Sequence, residues 1–329
     1  MKKILNKLFE HEHLSRAEAY ETLTEMTRGG ANEAQVAAFM TVYLMRTISV
    51  EELEGFRAAL LDLCVRVELG HAETIDLCGT GGDGKNTFNI STLAGFVVAG
   101  AGGKVVKHGN YGVSSVCGSS NVLESLGYRF KNEVDSLRRE LDRTGICFLH
   151  APLFHPALKS VGPVRKALGV KTFFNMLGPL VNPASPSCQF TGVFSFELQR
   201  LYGYLLQRTR QRFRVVHTFD GYDELSMTAP ARVVRENGED TVYPAQLGGA
   251  VEPADLAGGE TVEANRRIFT DILTGKGTPA RQRVVVANAA MALQCLSPEK
   301  STAECLAAAE ESLASGRAEA VLHRLIDMQ

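Results

Sequence analysis

Apolar and polar positions follow two different rhythms along this chain. Through the first seventy residues the apolar side chains recur at helical intervals, as at Phe39, Val42 and Leu44. Ser15 with Glu18, Asn32 with Gln35, and Ser49 with Glu52 have the spacing of a capping box, in which each end of the pair satisfies a free backbone N–H of the other. Three helix starts are expected there, with Gly29 and Gly30 closing the first helix before the second begins.

From Thr74 the rhythm changes. Short apolar runs predict strands at 74–78, 104–107, 146–149, 189–194 and 213–219. Helical patterns fall between and after them, at 88–99, 120–126, 133–144, 156–168 and 196–211. Strands alternating with helices imply a mostly parallel sheet. Residues 232–243 predict a hairpin turning at Asn237 and Gly238, and the chain is helical again from Val262. The expected fold is α/β: a small all-helical domain over 1–72, joined by a helical segment near 163–185, and a larger domain over 73–329 with a mostly parallel central sheet flanked by helices.

Composition narrows the function. A chain of 329 residues with 45% apolar and 22% charged residues is an ordinary folded protein with room for two domains. A formal net charge of −2 gives no general attraction for nucleic acid or acidic lipid, so neither is expected as a partner. Seven cysteines, an odd number without any C-x-x-C, argue against a disulfide framework or a zinc ribbon and suggest buried thiols in a reducing compartment. No apolar signal core or spanning run is present, and the expected location is the cytoplasm.

The chemistry concentrates in a glycine-rich turn. Gly79, Thr80, Gly81, Gly82, Asp83 and Gly84 follow the first predicted strand and precede a helix, where an open parallel sheet binds ligands. Glycines let backbone N–H groups approach a phosphate, and a helix start favours an anion. Two familiar motifs almost fit. A dinucleotide site needs an acid about 20 positions on, but after Asp83 the next acid is Glu124. A P-loop needs Ser or Thr after Lys85, where Asn86 stands. A structural turn is the plain alternative. The surroundings favour an anion site: the acid-free stretch holds Lys85, Lys104, Lys107 and His108, the run Lys107, His108, Gly109 and Asn110 is expected to follow the second strand, and Ser114, Ser115, Gly118, Ser119 and Ser120 come next.

Asp223 and Glu224 follow the fifth strand. In a loop both carboxylates can turn toward one ion, and hard oxygen ligands suit Mg²⁺ bridged to phosphates; a solvated loop is the alternative. Arg165 offers a two-pronged partner for a substrate carboxylate, against an ordinary surface arginine, and His155 a helix cap or a hydrogen bond. No serine elbow or base-activated cysteine is evident, so positioning and electrostatics rather than a covalent intermediate carry the expected chemistry, and no catalytic base or nucleophile is assigned.

In this order the motifs resemble the anthranilate phosphoribosyltransferase family over nearly the whole chain. They are Gly79 to Gly84, Thr87 to Thr92, Lys107 to Asn110 with Ser114 and Ser115, His155 and Pro156, Val164 and Arg165, Phe174 to Pro179, Asn182 and Pro183, and Asp223 with Glu224. The resemblance implies a homodimer that transfers the phosphoribosyl group of 5-phosphoribosyl 1-pyrophosphate to the amine of anthranilate in tryptophan biosynthesis. It implies a donor cradle of Gly79, Gly82, Asp83, Thr87, Asn89, Ile90, Ser91, Thr92, Lys107, His108, Gly109, Asn110, Ser114, Ser115 and Ser119. It implies an Mg²⁺ set of Ser91, Asp223 and Glu224, and an anthranilate site of Gly79, Asn110 and Arg165, with His155 as a further candidate. Two positions depart from the family: Tyr111 stands where Arg is usual, and Asn121 where Asp is usual, so a charge of each sign is absent from one segment. Tyr111 is expected to pack over the site without touching phosphate. The rival readings are a nucleoside phosphorylase of the same fold, a non-catalytic nucleic-acid binder, and a nicotinamide oxidoreductase. The Lys107–Asn110 motif and acidic pair speak against the first, the net charge against the second, and the missing ribose-binding acid against the third.

Overall fold

The computed structural model describes residues 1–112 and 115–329. The chain divides into two compact units, Met1–Val67 with Ala151–Ser185, and Glu68–His150 with Pro186–Gln329. The passage between them thus lies near residues 67–68, and the second segment of the helical unit begins at Ala151.

The helical unit opens with α1 (Lys2–Phe9), α2 (Arg16–Thr27), α3 (Glu33–Met45) and α4 (Val50–Leu63). All three capping boxes form. Ser15 Oγ accepts the Glu18 N–H at 3.2 Å while Glu18 accepts the Ser15 N–H at 2.8 Å, and Asn32–Gln35 and Ser49–Glu52 repeat the exchange. α3 buries Val36, Phe39, Met40, Val42 and Tyr43, whereas Leu44 is exposed, so of the expected positions Phe39 and Val42 turn inward and Leu44 does not. Phe39, Tyr43 and Phe56 meet Phe173 of the second segment, with ring centroids 4.8 to 5.9 Å apart. The helix expected over 156–168 is two pieces, a 3₁₀ turn at Pro156–Lys159 and an α-helix at Gly162–Leu168. Pro163 has no N–H to continue a helix through this point and instead starts a new one.

The second unit is built on a seven-stranded sheet of β1 (Ile75–Gly79), β2 (Val105–Gly109), β3 (Ile146–His150), β4 (Cys188–Gly192), β5 (Arg212–Thr218), β6 (Ala231–Arg235) and β7 (Gly238–Val242). The spatial order is β3-β2-β1-β4-β5-β6-β7, the first five strands parallel and the last two antiparallel additions. The hairpin turn sits one residue earlier than expected: Arg235 pairs with Gly238, so Glu236 and Asn237 make the two-residue turn. The helix expected to reach Gln211 ends at Gln207, where Thr209 Oγ1 donates to the Leu206 carbonyl and accepts the Gln211 N–H.

Helix α5 (Ile90–Gly100) is apolar on all sides and buried almost throughout, as a helix between a sheet and a further helical layer must be. The outer layer is Pro279–Leu296 with Thr302–Ala314 and Arg317–Asp327, and Ser312 ties it to α5 by donating to the Val97 carbonyl at 2.7 Å. All seven cysteines are free thiols, six of them buried. Among the described residues no helix is long and apolar enough to cross a membrane.

Candidate active site at the strand-order reversal

From β1 the chain steps to β2 and β3 on one side, then returns to place β4 and β5 on the other. The reversal lies between β1 and β4, and in an open parallel sheet this is where a crevice opens beyond the strand ends. Three strands end there in glycine: Gly79, Gly109 and Gly192. Gly79 and Gly192 face each other in the β1–β4 register. A Cβ on Gly79 would stand 2.6 Å from the Asp223 carbonyl oxygen and 2.9 Å from its Cγ. One on Gly192 would stand 2.5 Å from the Asp223 carbonyl carbon and 2.9 Å from the Glu224 nitrogen. The two missing side chains therefore let the acidic pair lie directly over the ends of β1 and β4.

The glycine-rich turn closes around that pair. Gly81, Gly82 and Gly84 all have positive φ, the region that L side chains rarely adopt. The turn so formed aims the Gly81 N–H at Asp223 Oδ2 at 2.5 Å and returns the Thr80 N–H to the Gly192 carbonyl at 3.0 Å. Asp83 accepts the Lys85 N–H at 2.9 Å, and the Lys85 ammonium lies 3.8 Å from the centre of the Tyr222 ring. At the start of α5, the Ser91 N–H donates to Glu224 at 3.3 Å.

Lys107 and His108 belong to β2 itself rather than to the loop beyond it. Lys107 is 2% exposed, a position a lysine takes only with partners. Its ammonium donates to the Leu77 carbonyl of β1 and to Ser91 Oγ at 3.4 Å. The His108 N–H donates to Asp76 at 3.2 Å. Ser91, Lys107 and Glu224 are thus linked by hydrogen bonds, with Asp223 beside them held by Gly81, and the four residues come from three separate segments.

The electrostatics of the cluster favour a cation. Burial, then the Glu224 charge, then the Asp83 charge push the Asp223 carboxyl well above the usual carboxylate range. Burial raises Glu224 to about 7 against the pull of Lys107. A divalent ion would relieve both. Among the described residues no three His, Cys, Asp or Glu side chains enclose an ion by themselves. The donor set is therefore partial: two carboxylates and the Ser91 hydroxyl. That fits Mg²⁺, which keeps waters and takes its remaining ligands from substrate phosphates.

Most of the expected cradle reaches this edge, with differences. Asn89 donates to the Cys117 carbonyl at 3.0 Å and leaves its own Oδ1 buried without a protein partner. Ile90 has its side chain in the core, and its N–H donates to the Phe88 carbonyl at 2.7 Å. Thr92 is buried in α5, while Thr87 makes a β-bridge to Ala257. Ser119 Oγ donates to the Asn110 carbonyl at 3.4 Å, beneath Gly109, where a Cβ would strike that hydroxyl. Ser115 is half-buried, and Ser114 lies outside the described residues. Thr80, whose buried hydroxyl has no protein partner, and Gly192 were not singled out from sequence. Thr80 sits inside the glycine motif, whereas Gly192 becomes visible only once β4 is paired with β1.

Two candidates belong to the helical unit. His155 is buried, and its Nε2 meets the Val181 carbonyl at 3.0 Å. Burial pulls its pKa down to about 4, so the ring is neutral and held to the backbone. The Arg165 guanidinium lies 5.1 Å from the Phe174 ring centre. Tyr111, expected to pack near the site without binding phosphate, donates its hydroxyl to Glu124 at 2.8 Å and sets its ring edge-on to His150.

Residues 2–64 match the helical bundle domain of a glycosyl transferase family, and residues 71–319 match its a/b domain. The chain is 52% identical to the anthranilate phosphoribosyltransferase of Flavobacterium johnsoniae over 329 residues, all of this chain and 99% of the other. It is 53% identical to the enzyme of that name from Bacteroides thetaiotaomicron, with the same coverage. The crystal structure of the Thermus thermophilus enzyme superposes with a TM-score of 0.92 at 33% identity, covering 98% of each chain. The Saccharomyces cerevisiae enzyme in complex with PRPP and Mg superposes with a TM-score of 0.91 at 27% identity, covering 98% of this chain and 96% of that one. A second yeast complex contains 4-fluoroanthranilate.

Proposed function

Because this chain belongs to the glycosyl transferase family and matches its anthranilate phosphoribosyltransferases from end to end, we infer that it transfers the phosphoribosyl group of 5-phosphoribosyl 1-pyrophosphate to the amine of anthranilate. The products are N-(5-phosphoribosyl)anthranilate and pyrophosphate, a step of tryptophan biosynthesis. The observation that carries the assignment of the site is the cluster of Lys107, Ser91, Asp223 and Glu224 at the strand-order reversal.

In this reaction the bond from ribose C1 to the pyrophosphate oxygen breaks and a bond from C1 to the anthranilate nitrogen forms. Positive charge grows on the sugar and negative charge on the leaving group. In this reading Lys107 and the N–H groups of Gly79, Gly82 and Asp83 in the glycine-rich turn would stabilise the departing anion. Ser91, Asp223 and Glu224 would hold Mg²⁺, which when bound supplies further charge neutralisation to the pyrophosphate. Thr87, Asn89, Thr92, His108, Gly109, Asn110, Ser115 and Ser119 complete the donor cradle in this reading. An aromatic amine is largely uncharged at neutral pH, which removes the need for a strong base and agrees with the absence of an assigned one.

Gly79, Asn110 and Arg165 are the anthranilate-binding residues in this reading, Arg165 pairing with the carboxylate. His155 is a supporting side chain, since its Nε2 is already committed to Val181. The enzyme is further proposed to be a cytoplasmic homodimer. In support of self-association, the helical unit exposes Phe9, Leu44 and Met45, the last at 82%. The test of the acceptor assignment is Arg165→Ala: the KM for anthranilate should rise at least tenfold more than the KM for the donor. Equal rises in the two would remove Arg165 from the carboxylate.

A further inference from the structure

The segment from the end of β2 into the start of α6 (Ser119–Ser125) carries Asn110, Ser115 and Ser119 of the donor cradle, and one side chain ties its two limbs together. Asn121 Oδ1 accepts the N–H of Gly112 at 2.9 Å and that of Gly118 at 3.0 Å. The limbs touch at those glycines. A Cβ on Gly112 would lie 2.9 Å from the Gly118 nitrogen, and one on Gly118 would lie 2.6 Å from the Tyr111 carbonyl carbon and 2.8 Å from the Asn110 oxygen. No other residue type allows this approach, and both N–H groups face a single acceptor.

The acceptor is itself fixed to the sheet. Asn121 lies in the first turn of α6, and its neighbour Ser120 is 1% exposed with its hydroxyl 2.9 Å from His150 Nδ1, at the end of β3. His150 is clamped, stacked on Phe130 with centroids 4.5 Å apart and met edge-on by Tyr111 at 4.7 Å. Tyr111 is anchored in turn by its hydroxyl on Glu124 of α6. The Ser120 N–H closes the arrangement by donating to the Asn110 carbonyl at 3.2 Å. The line of support runs from β3 through His150 and Ser120 to Asn121, and from there to both limbs.

We propose that Asn121 is a positioning residue for the donor: its carboxamide oxygen fixes the two limbs that carry Asn110, Ser115 and Ser119 where pyrophosphate or ribose phosphate is received. The role needs an acceptor oxygen and no charge. It rests on the reading that this edge binds 5-phosphoribosyl 1-pyrophosphate, and a rigid support acts on binding by removing conformations that cannot bind.

Two variants of the full-length protein separate the possibilities. Asn121→Leu keeps the branched outline and removes the acceptor; Asn121→Asp keeps the acceptor. In the anthranilate fluorescence assay with Mg²⁺, Asn121→Leu should raise the donor KM about tenfold or more, a loss of about 1.4 kcal/mol, and leave the anthranilate KM within about twofold. Asn121→Asp should stay within about threefold of the parent for both. Amide exchange at Gly112 and Gly118 reads the tie without any turnover and should quicken about tenfold in Asn121→Leu alone. Unchanged exchange and donor KM in Asn121→Leu would overturn the proposal, as would equal rises in both KM values, or a tenfold rise in Asn121→Asp. Should Asn121→Leu fail to fold, the donor KM and glycine exchange of Asn121→Asp decide alone. A parent protein that consumes no anthranilate would refute the functional reading, while the exchange result would still judge the tie.

Discussion

Replacing Gly79 by alanine tests whether close backbone approach builds this site. The new Cβ would meet Asp223 from three directions, its carboxylate oxygen, its carbonyl oxygen and its Cγ. Backbone atoms stand on one side and a buried carboxylate on the other, so no flexible side-chain end can yield. Overpacking of this kind costs about 1–3 kcal/mol. Pushing Asp223 away also breaks its bond from the Gly81 N–H, worth about 1–3 kcal/mol in a buried setting. Together the loss is about 2–6 kcal/mol, a fall in Tm of roughly 4–24 °C for a unit of this size. Displacing the carboxylate by about 1 Å should lower kcat/KM for the donor about a hundredfold. The control is Gly95→Ala in α5, where the new Cβ meets only a methyl of Ile146 at 3.4 Å and a methyl of Val105 at 3.6 Å. Alanine is the better helix former by about 0.5–1 kcal/mol, so this variant should keep its Tm or gain slightly, with full activity. Anthranilate fluorescence at fixed Mg²⁺ and varied donor gives the rates, and thermal melts give the stabilities. Parental kcat/KM and Tm in Gly79→Ala would refute the argument that the acidic pair is seated by missing side chains.

The other predictions concern residues around the site and beneath it. Tyr111→Phe removes a bond to Glu124 rather than one to phosphate, so the donor KM should stay within about twofold; a tenfold rise would show that the hydroxyl reaches the substrate. In the helical unit, burial alone would raise Glu52, but Arg46 and the N–H groups of Ser49 and Leu14 bring it down to about 2. Its folded pKa lies below its unfolded value of 4.5, so the stability it contributes is complete above about pH 4.5 and is lost as pH falls toward 2. Glu52→Gln leaves Arg46 without its charged partner. It should cost about 3–5 kcal/mol near neutrality and flatten the acid limb of Tm against pH. Parallel curves for the two proteins would contradict the assignment.

Local signals were the readable ones. Ser15, Asn32 and Ser49 announce helix starts because a capping box involves only four consecutive residues, and all three form. The alternation of strands and helices was enough to imply a mostly parallel sheet, because burial on both faces imposes apolar runs. Features that depend on pairing distant segments were not readable. Gly192 has no motif around it; its importance comes from its register opposite Gly79. The burial of Lys107 follows from β2 extending through it, so that its ammonium reaches across to β1 and α5. Asn121 stood out in sequence only as a departure in charge, since its acceptor role depends on how Gly112 and Gly118 meet. Ile90 lies inside the expected donor motif, and the burial of its side chain in the core was likewise not readable from the motif alone.

The central claim, that Asp223 and Glu224 seat the metal with the pyrophosphate, is tested most directly by Asp223→Asn. Burial and the Glu224 charge disfavour the ionised form of this carboxyl, so a neutral replacement should leave the metal-free fold at its parental Tm or above it. Fluorescence loss with anthranilate and 5-phosphoribosyl 1-pyrophosphate should fall at least a hundredfold across an Mg²⁺ titration, with no recovery at saturating donor. Parental rates and an unchanged Mg²⁺ dependence in Asp223→Asn would contradict the account.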